Sequence, residues 1–212
     1  AELGLSEMPN WWGPSMQAGL NSNNPGIWYR HIIWSGIGSG SFSAPNYWFT
    51  DHVRFINREQ IATVFWNFVK NLDVNRGGYV DLAANVSNSN LRVVGQKNTS
   101  RGIAYFWAQN RSYGWANTNP AAVTSTVTVS GLPASTDFNL QRYDTSTGAS
   151  TTQTVRSSQS GSVDVTITSL VGAVAYKITP QSVIGIPSTT PSATPVPTVN
   201  PTPTATPVAT VT

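Results

Sequence analysis

The chain has 212 residues with 12 Lys and Arg against 9 Asp and Glu, which gives a formal net charge of +3 at pH 7. The basic residues are scattered, so the sequence lacks the basic stripe that a nucleic-acid-binding protein needs. The absence of Cys excludes disulfides and Cys-ligated zinc, and His31 and His52 alone are too few for a His-based metal site. No apolar run is long enough to span a bilayer.

Three zones differ in composition. Residues 1–75 are rich in Trp and show helical periodicity, residues 76–180 alternate apolar and polar side chains, and residues 181–212 are almost all Pro, Thr, Ser, Ala and Val. Only 10% of the residues are charged, and this composition suits an extracellular protein. Because the sequence begins at Ala1 without an initiator Met or a signal peptide, we expect a processed or truncated piece of a longer protein.

The first zone predicts two helices with a short strand between them. The first helix begins at Asn24-Pro25, with Pro in the favoured first helical position, and runs to about Gly38. It is apolar nearly all round, which predicts burial on most sides and makes His31 a core residue. Ser41 to Phe49 is bounded by glycines and rich in aromatics, so it is predicted as a short buried strand with Pro45 at an irregular point.

The second predicted helix runs from Asn57 to about Leu72. Asn57 is a good N-cap, and Gln60 stands in the capping-box position three residues later. One apolar face follows at helical spacing, formed by Ile61, Val64, Phe65, Phe68, Val69 and Leu72. The pattern predicts an amphipathic helix that packs against another part of the protein.

The second zone predicts an antiparallel β-sandwich over residues 76–180. Alternation marks four strands, at Ile103 to Trp107, Val123 to Val129, Val163 to Ile167 and Val174 to Ile178. Turn signals separate them at 131–133, 144–148 and 160–161, and Asp137 and Asp144 in turn positions need no metal to explain them. The tail at 181–212 predicts a disordered, extended Pro/Thr linker, open to O-glycosylation.

The order of strand end, helix, strand and helix in residues 1–75 is that of the βα units of a TIM barrel. The stretch from Gly26 to Ser35, followed by Asn46 to Asp51, resembles the closing segment of cellulase-like TIM-barrel glycoside hydrolases. The sandwich, with Tyr143-Asp144 before a Thr-Gly turn, resembles the appended C-terminal domain of such enzymes. The predicted fold is therefore an α/β remnant of a TIM barrel, its last βα units, followed by an all-β antiparallel sandwich and a disordered tail.

The resemblance implies a secreted or cell-surface, bacterial-type glycosidase that cleaves a β-linked polysaccharide with retention. Residues 1–4 look like the end of the seventh barrel strand, which makes Glu2 the catalytic nucleophile. Retaining enzymes hold two carboxyl groups about 5–5.5 Å apart, and the resemblance places the acid/base partner on a fourth strand outside this sequence. The chain alone is therefore expected to be inactive, with no cofactor and no metal.

The resemblance also implies residues that bind the substrate, a polysaccharide or oligosaccharide. Trp48, at the end of the last barrel strand, would stack beneath the sugar at the cleavage point. Trp11 and Trp12 would line the cleft, and Asp51 would hydrogen-bond sugar hydroxyls. Each residue has a structural alternative: a solvated terminus for Glu2, core or loop packing for the Trp residues, and loop capping for Asp51.

A second hypothesis is a non-catalytic carbohydrate-binding or adhesive surface module with the Pro/Thr segment as a stalk, to which a further C-terminal module could be joined. Tyr105, Trp107 and Trp115 are the aromatics that a sugar-binding face of the sandwich could use. Tyr105 and Trp107 share one side of their strand, which is more often a core side. The two hypotheses differ over the helix from Asn57 to Leu72, because a free-standing binding sandwich has no need of it.

Overall fold

Two short helices precede the sheets in the computed structural model, which describes residues 26–39, 59–72, 77–114 and 116–181. Helix α1, Gly26–Ser35, continues as a 3₁₀ helix, Gly36–Ser39. The segment is buried on most sides, as its apolar sequence predicts: Ile27, Ile32, Ile33, Trp34 and Ile37 are all buried. Neither helix in the described ranges has the length and apolar character of a membrane span.

Helix α2, Glu59–Val69, is amphipathic in the manner that its spacing predicts. It buries one face and leaves the opposite face, which includes Thr63 and Trp66, exposed. Buried positions recur every third or fourth residue, which places them on one stripe of the helix; they are Ile61, Val64, Phe65, Phe68 and Val69. The predicted N-cap Asn57 and the predicted strand Ser41 to Phe49 lie outside the described residues.

Nine strands follow in the described residues, and every pairing among them is antiparallel. Their order is β1-β3-β4-β9-β6-β7 in a six-stranded sheet and β2-β5-β8 in a three-stranded sheet. The bounds are β1 Val80–Asp81, β2 Asn85–Val86, β3 Leu91–Asn98, β4 Ile103–Asn110, β5 Val123–Val129, β6 Asp137–Asp144, β7 Ser150–Arg156, β8 Val163–Leu170 and β9 Ala173–Pro180. The antiparallel sandwich is confirmed, and four of these strands, β4, β5, β8 and β9, were predicted from alternation.

The two sheets bury a shared apolar core, because alternate residues of each strand point to the same side. β5 and β8 turn Val127, Val129, Val165 and Ile167 inward, and β9 contributes Ile178 from the facing sheet. All five were predicted to be buried, as was Tyr176, which stacks on Phe106 with ring centroids 5.1 Å apart.

A second core lies on the other side of the six-stranded sheet, where α1 and α2 cover it. The Trp34 ring lies 5.2 Å from Phe65 and 5.1 Å from Phe68, centroid to centroid. The Tyr143 hydroxyl on β6 donates to the Val64 carbonyl oxygen in α2 at 3.1 Å. The predicted packing of the second helix against another part of the protein is therefore confirmed, and its partner is the sandwich. As a result, β4 is buried on both faces.

The predicted TIM-barrel remnant is not supported by the described residues. A βα unit joins a helix to parallel strands, whereas α1 and α2 cover an antiparallel sheet and no described strand lies between them. The helices thus cover one outer face of the sandwich. The residues around Glu2 and the predicted linker at 181–212, apart from Gln181, lie outside the described ranges.

Candidate functional site

The residues that the resemblance assigns to catalysis and substrate binding all lie outside the described ranges. They are Glu2, Trp11, Trp12, Trp48 and Asp51, and their roles stay predictions. Trp115 of the sandwich is also outside the described residues. The described part of the chain contains no group of three or more His, Asp or Glu side chains able to hold a metal ion.

The hypothesis that the aromatic residues of β4 form a sugar-binding surface is wrong. Tyr105 and Trp107 do share one side of the strand, but α1 and α2 cover that side and both residues are 0% exposed. The Tyr105 hydroxyl is occupied by a hydrogen bond to Gln96 Oε1 at 2.6 Å. Burial raises the pKa of Tyr105 far above its ordinary value, so its phenol stays protonated inside this core. The alternative, that Tyr105 and Trp107 lie on a core side of their strand, is therefore correct.

Three further polar residues have structural roles. His31 is buried, and its ring nitrogens lie 3.3 Å from Gln109 Nε2, which confirms it as a core residue. Asp144 caps the turn after β6, where Oδ1 accepts the backbone N–H groups of Ser146 and Thr147, each at 2.8 Å. Burial alone would raise the pKa of Asp144, but these hydrogen bonds outweigh it and the pKa is lowered. Asp137 pairs with Arg156 across β6 and β7.

The described residues also form a groove of about 350 Å³ where the two sheets meet at one edge. β7 ends the six-stranded sheet there, and β8 ends the three-stranded sheet. We call this feature the edge groove. It is lined by Leu140, Arg142, Thr151, Thr152, Gln153, Thr166, Ile167, Thr168 and Tyr176.

Strand register explains why these side chains converge. Leu140 of β6 lies directly across from Gln153 of β7, and Arg142 lies across from Thr151 on one side and Tyr176 on the other. Directly opposed residues in an antiparallel pair project to the same face, so these side chains all point toward the three-stranded sheet. The inter-sheet core therefore opens to solvent at this edge instead of closing.

The floor and the walls of the edge groove differ in polarity. Leu140, Ile167 and Tyr176 are buried and belong to the inter-sheet core, so they form an apolar floor. The walls are exposed and carry hydroxyl and amide groups from β7 and β8. Arg142 is the one charged residue among the lining residues, and none of them is a carboxylic acid.

Arg142 and Tyr176 interact within the groove. Burial raises the pKa of Tyr176, and the charge and the hydrogen bond of the neighbouring Arg142 guanidinium offset part of that rise. The net pKa stays above the ordinary tyrosine value, so the phenol keeps its proton at neutral pH. The groove therefore offers a cation, a phenolic donor, several hydroxyls and an amide above an apolar floor. Such a set can bind a hydroxyl-rich ligand but lacks the carboxylate pair that glycoside hydrolysis requires.

Sequence reasoning missed this groove because it missed β7. The run Ser150–Arg156 shows no apolar alternation, since all of its residues except Val155 are exposed. Two signals were available: four residues from Ser150 to Thr154 are Ser or Thr, with Thr favoured in strands, and the run follows the turn signal at 144–148. Together they point to the second strand of a hairpin.

No family model matches the sequence, and no curated protein matches it. Among solved structures, the chain is similar to TmCBM61 in complex with beta-1,4-galactotriose, with 14% sequence identity and a TM-score of 0.16. The match covers 51% of this chain and 83% of that chain. At this TM-score the likeness establishes neither a shared fold nor a shared ligand.

Proposed function

We propose that the chain serves as a non-catalytic carbohydrate-binding β-sandwich of a secreted or cell-surface protein, with the edge groove as the site for the sugar. The groove is the observation that carries this proposal. It combines hydrogen-bonding side chains with an apolar floor, as small-molecule sites usually do. The low charged fraction and the abundance of Ser, Thr and Asn in the sequence support an extracellular setting.

Sugar recognition in the groove would depend on hydrogen bonds more than on ring stacking. Tyr176 is only 4% exposed and its ring already stacks on Phe106, so it cannot present a free aromatic face. The hydroxyl of Thr151 and the amide of Gln153 can each donate to and accept from a sugar hydroxyl. Leu140 and Ile167 supply apolar contact for the C–H groups of the sugar ring.

Affinity electrophoresis of the 212-residue chain through gels that contain soluble glucan, mannan, xylan or an acidic polysaccharide tests this proposal. We expect retardation by at least one polysaccharide, and we expect Gln153→Leu to weaken it because a hydrogen-bonding wall residue is lost. Gln141→Leu is the matched control, because Gln141 lies on the opposite face of the same hairpin and donates to Ser150. Unretarded migration in every gel, or equal losses in both variants, would contradict the proposal.

A second candidate function is the one that the sequence resemblance implies: the C-terminal part of a retaining glycoside hydrolase. The observation that favours it is the second core, since α1 and α2 seal a sheet face that a free-standing binding sandwich could leave to solvent. In that protein Glu2 is the nucleophile, Trp48 stacks beneath the sugar, and Trp11, Trp12 and Asp51 line the cleft.

The gene sequence upstream of the Ala1 codon separates the two candidates. Six further βα units, with an Asn-Glu pair that ends the fourth strand, would support the hydrolase. A start codon close to Ala1 would support the binding module. If the hydrolase exists, Glu2→Gln should lower its kcat by several orders of magnitude without loss of fold, whereas Glu7→Gln should leave kcat near the wild-type value. The 212-residue chain alone should hydrolyse neither β-glucan nor mannan.

A further inference from the structure

The edge groove contains the Arg142 guanidinium group, which forms no ion pair within the part of the chain that the structure describes. Arg142 is exposed on β6. The nearest acid in sequence on that strand face is Asp144, whose pKa is lowered by hydrogen bonds in its turn and, to a smaller extent, by the charge of Arg142. Asp144 Oδ1, however, is already occupied by two backbone N–H groups of the turn. Arg142 thus retains most of its N–H donors for a ligand.

The geometry around Arg142 favours a planar anion. Tyr176 lies directly across from Arg142 on β9, and the guanidinium is close enough to the phenol to offset part of the rise that burial causes in the pKa of Tyr176. When Arg142 donates to the phenolic oxygen, the phenol proton stays free to donate outward. A guanidinium fork with an adjacent O–H donor matches the oxygens of a carboxylate, and such charge-assisted hydrogen bonds are the strong ones. Thr151, across from Arg142 on β7, adds a neutral hydroxyl next to this pair.

We propose that the edge groove selects an acidic sugar, with the uronate carboxylate on Arg142 and the Tyr176 hydroxyl. This inference rests on the proposed carbohydrate-binding function and names its ligand class. The hydroxyls of the sugar are bound by Thr151 and Gln153, and the C–H face lies over Leu140 and Ile167. The absence of any carboxylic acid among the lining residues means that no side chain in the groove repels the uronate.

Calorimetric titration of the 212-residue chain with matched acidic and neutral ligands tests the inference. The probes are an oligogalacturonate and a glucuronic-acid-substituted xylo-oligosaccharide, each compared with its own methyl ester, which keeps the sugar and removes the charge. We expect the acids to bind on the order of tenfold more tightly than the esters, because a hydrogen bond to a charged group contributes more than a neutral one. The difference should shrink as salt is added.

Three variants assign the effect to named atoms. Arg142→Gln should abolish the preference for the acid over the ester, and Tyr176→Phe, which keeps the ring stacked on Phe106, should reduce it. Arg156→Gln is the matched control: Arg156 lies on the same hairpin but is paired with Asp137 at 2.8 Å, so its loss should leave the preference intact. Far-UV circular dichroism checks that each variant is folded.

The possible results separate this inference from the proposed function. Equal binding of acids and esters by the wild type would overturn the acidic-sugar assignment while sugar binding itself stands. A preference for a sulfated neutral oligosaccharide over both uronates would also overturn it, because the selected anion would not be a carboxylate. Lack of binding by every sugar tested would overturn both, as would a preference that Arg156→Gln removes and Arg142→Gln keeps.

Discussion

Replacement of Phe68 by Ala should show that the helices and the sandwich fold as one unit. Phe68 is 0% exposed at the point where α2 meets the sheet. Its ring centroid lies 5.1 Å from that of Trp34 and 5.3 Å from that of Tyr143, and Lys177 Nζ lies 4.5 Å above it. The substitution therefore removes contacts to α1, β6 and β9 together and leaves a cavity between the helices and the sheet.

A Phe-to-Ala change in a packed core lowers the free energy of unfolding by about 3–5 kcal/mol. With a urea m-value of about 1–3 kcal/mol/M, the unfolding midpoint should fall on the order of 1–3 M. Tryptophan fluorescence, to which Trp34 and Trp107 of the helix-side core contribute among the eight Trp residues of the chain, is followed beside far-UV circular dichroism, which reports on the strands. If the helices and the sheets unfold together, both signals should shift by the same amount.

Trp66→Ala is the matched control for this experiment, since Trp66 lies on the opposite face of the same helix and is 62% exposed. We expect its free energy of unfolding to change by no more than about 0.5 kcal/mol. A loss below about 1 kcal/mol in Phe68→Ala would contradict tight packing of α2 on the sheet, because loss of a packed aromatic ring normally costs about 3–5 kcal/mol. A shift of the fluorescence transition alone would show that the helices are a separate unit.

Other substitutions probe single contacts by the same urea assay. Tyr143→Phe should lose about 0.5–1.5 kcal/mol with its hydrogen bond to Val64, and an unchanged midpoint would contradict that bond. Gly95→Ala should unfold the chain or lower its stability sharply, because a Cβ there would collide with Phe106 Cα and the Tyr105 carbonyl oxygen; wild-type stability would contradict the close strand approach. Burial, with the nearby Lys70 charge, lowers the pKa of Lys177 from 10.5 to about 8. The unfolded state therefore binds more protons between these values, and the wild type gains stability as pH rises through them. Lys177→Met should accordingly be stabilising at pH 7 and lose that advantage by pH 10, and a pH-independent difference would contradict this.

The elements whose pattern depends on one buried face could be predicted from the sequence. Helix α2 has an apolar stripe at helical spacing, and β5 and β8 alternate strictly because one face of each packs into the core. β7 could not be predicted in this way, because both of its faces are largely exposed. β3 was not predicted, because the polar Gln96 interrupts its apolar pattern. Gln96 is nevertheless buried, and its side chain accepts a hydrogen bond from the Tyr105 hydroxyl of the next strand.

The candidate site could not be predicted, because it depends on strand order. The edge groove exists where β7 and β8 end their sheets, and β9 lies between β4 and β6 although it comes last in sequence. Local patterns carry no information about such an insertion. The sugar-binding face suggested at Tyr105 and Trp107 was wrong for a similar reason. Their alternation shows that they share a face, but only the position of α1 and α2 decides whether that face is exposed.

Mapping of a bound sugar on the chain shows whether the edge groove is the sugar-binding site. Backbone amide shifts of the ¹⁵N-labelled 212-residue chain would be followed by NMR during titration with the oligogalacturonate. We expect the largest changes to fall on Arg142, Thr151, Gln153 and Tyr176, while Trp66 and its neighbours on the exposed face of α2 stay unchanged. Shift changes centred on α2 or on β1 and β3, without changes in the edge groove, would contradict the proposal that this protein binds its sugar in the groove.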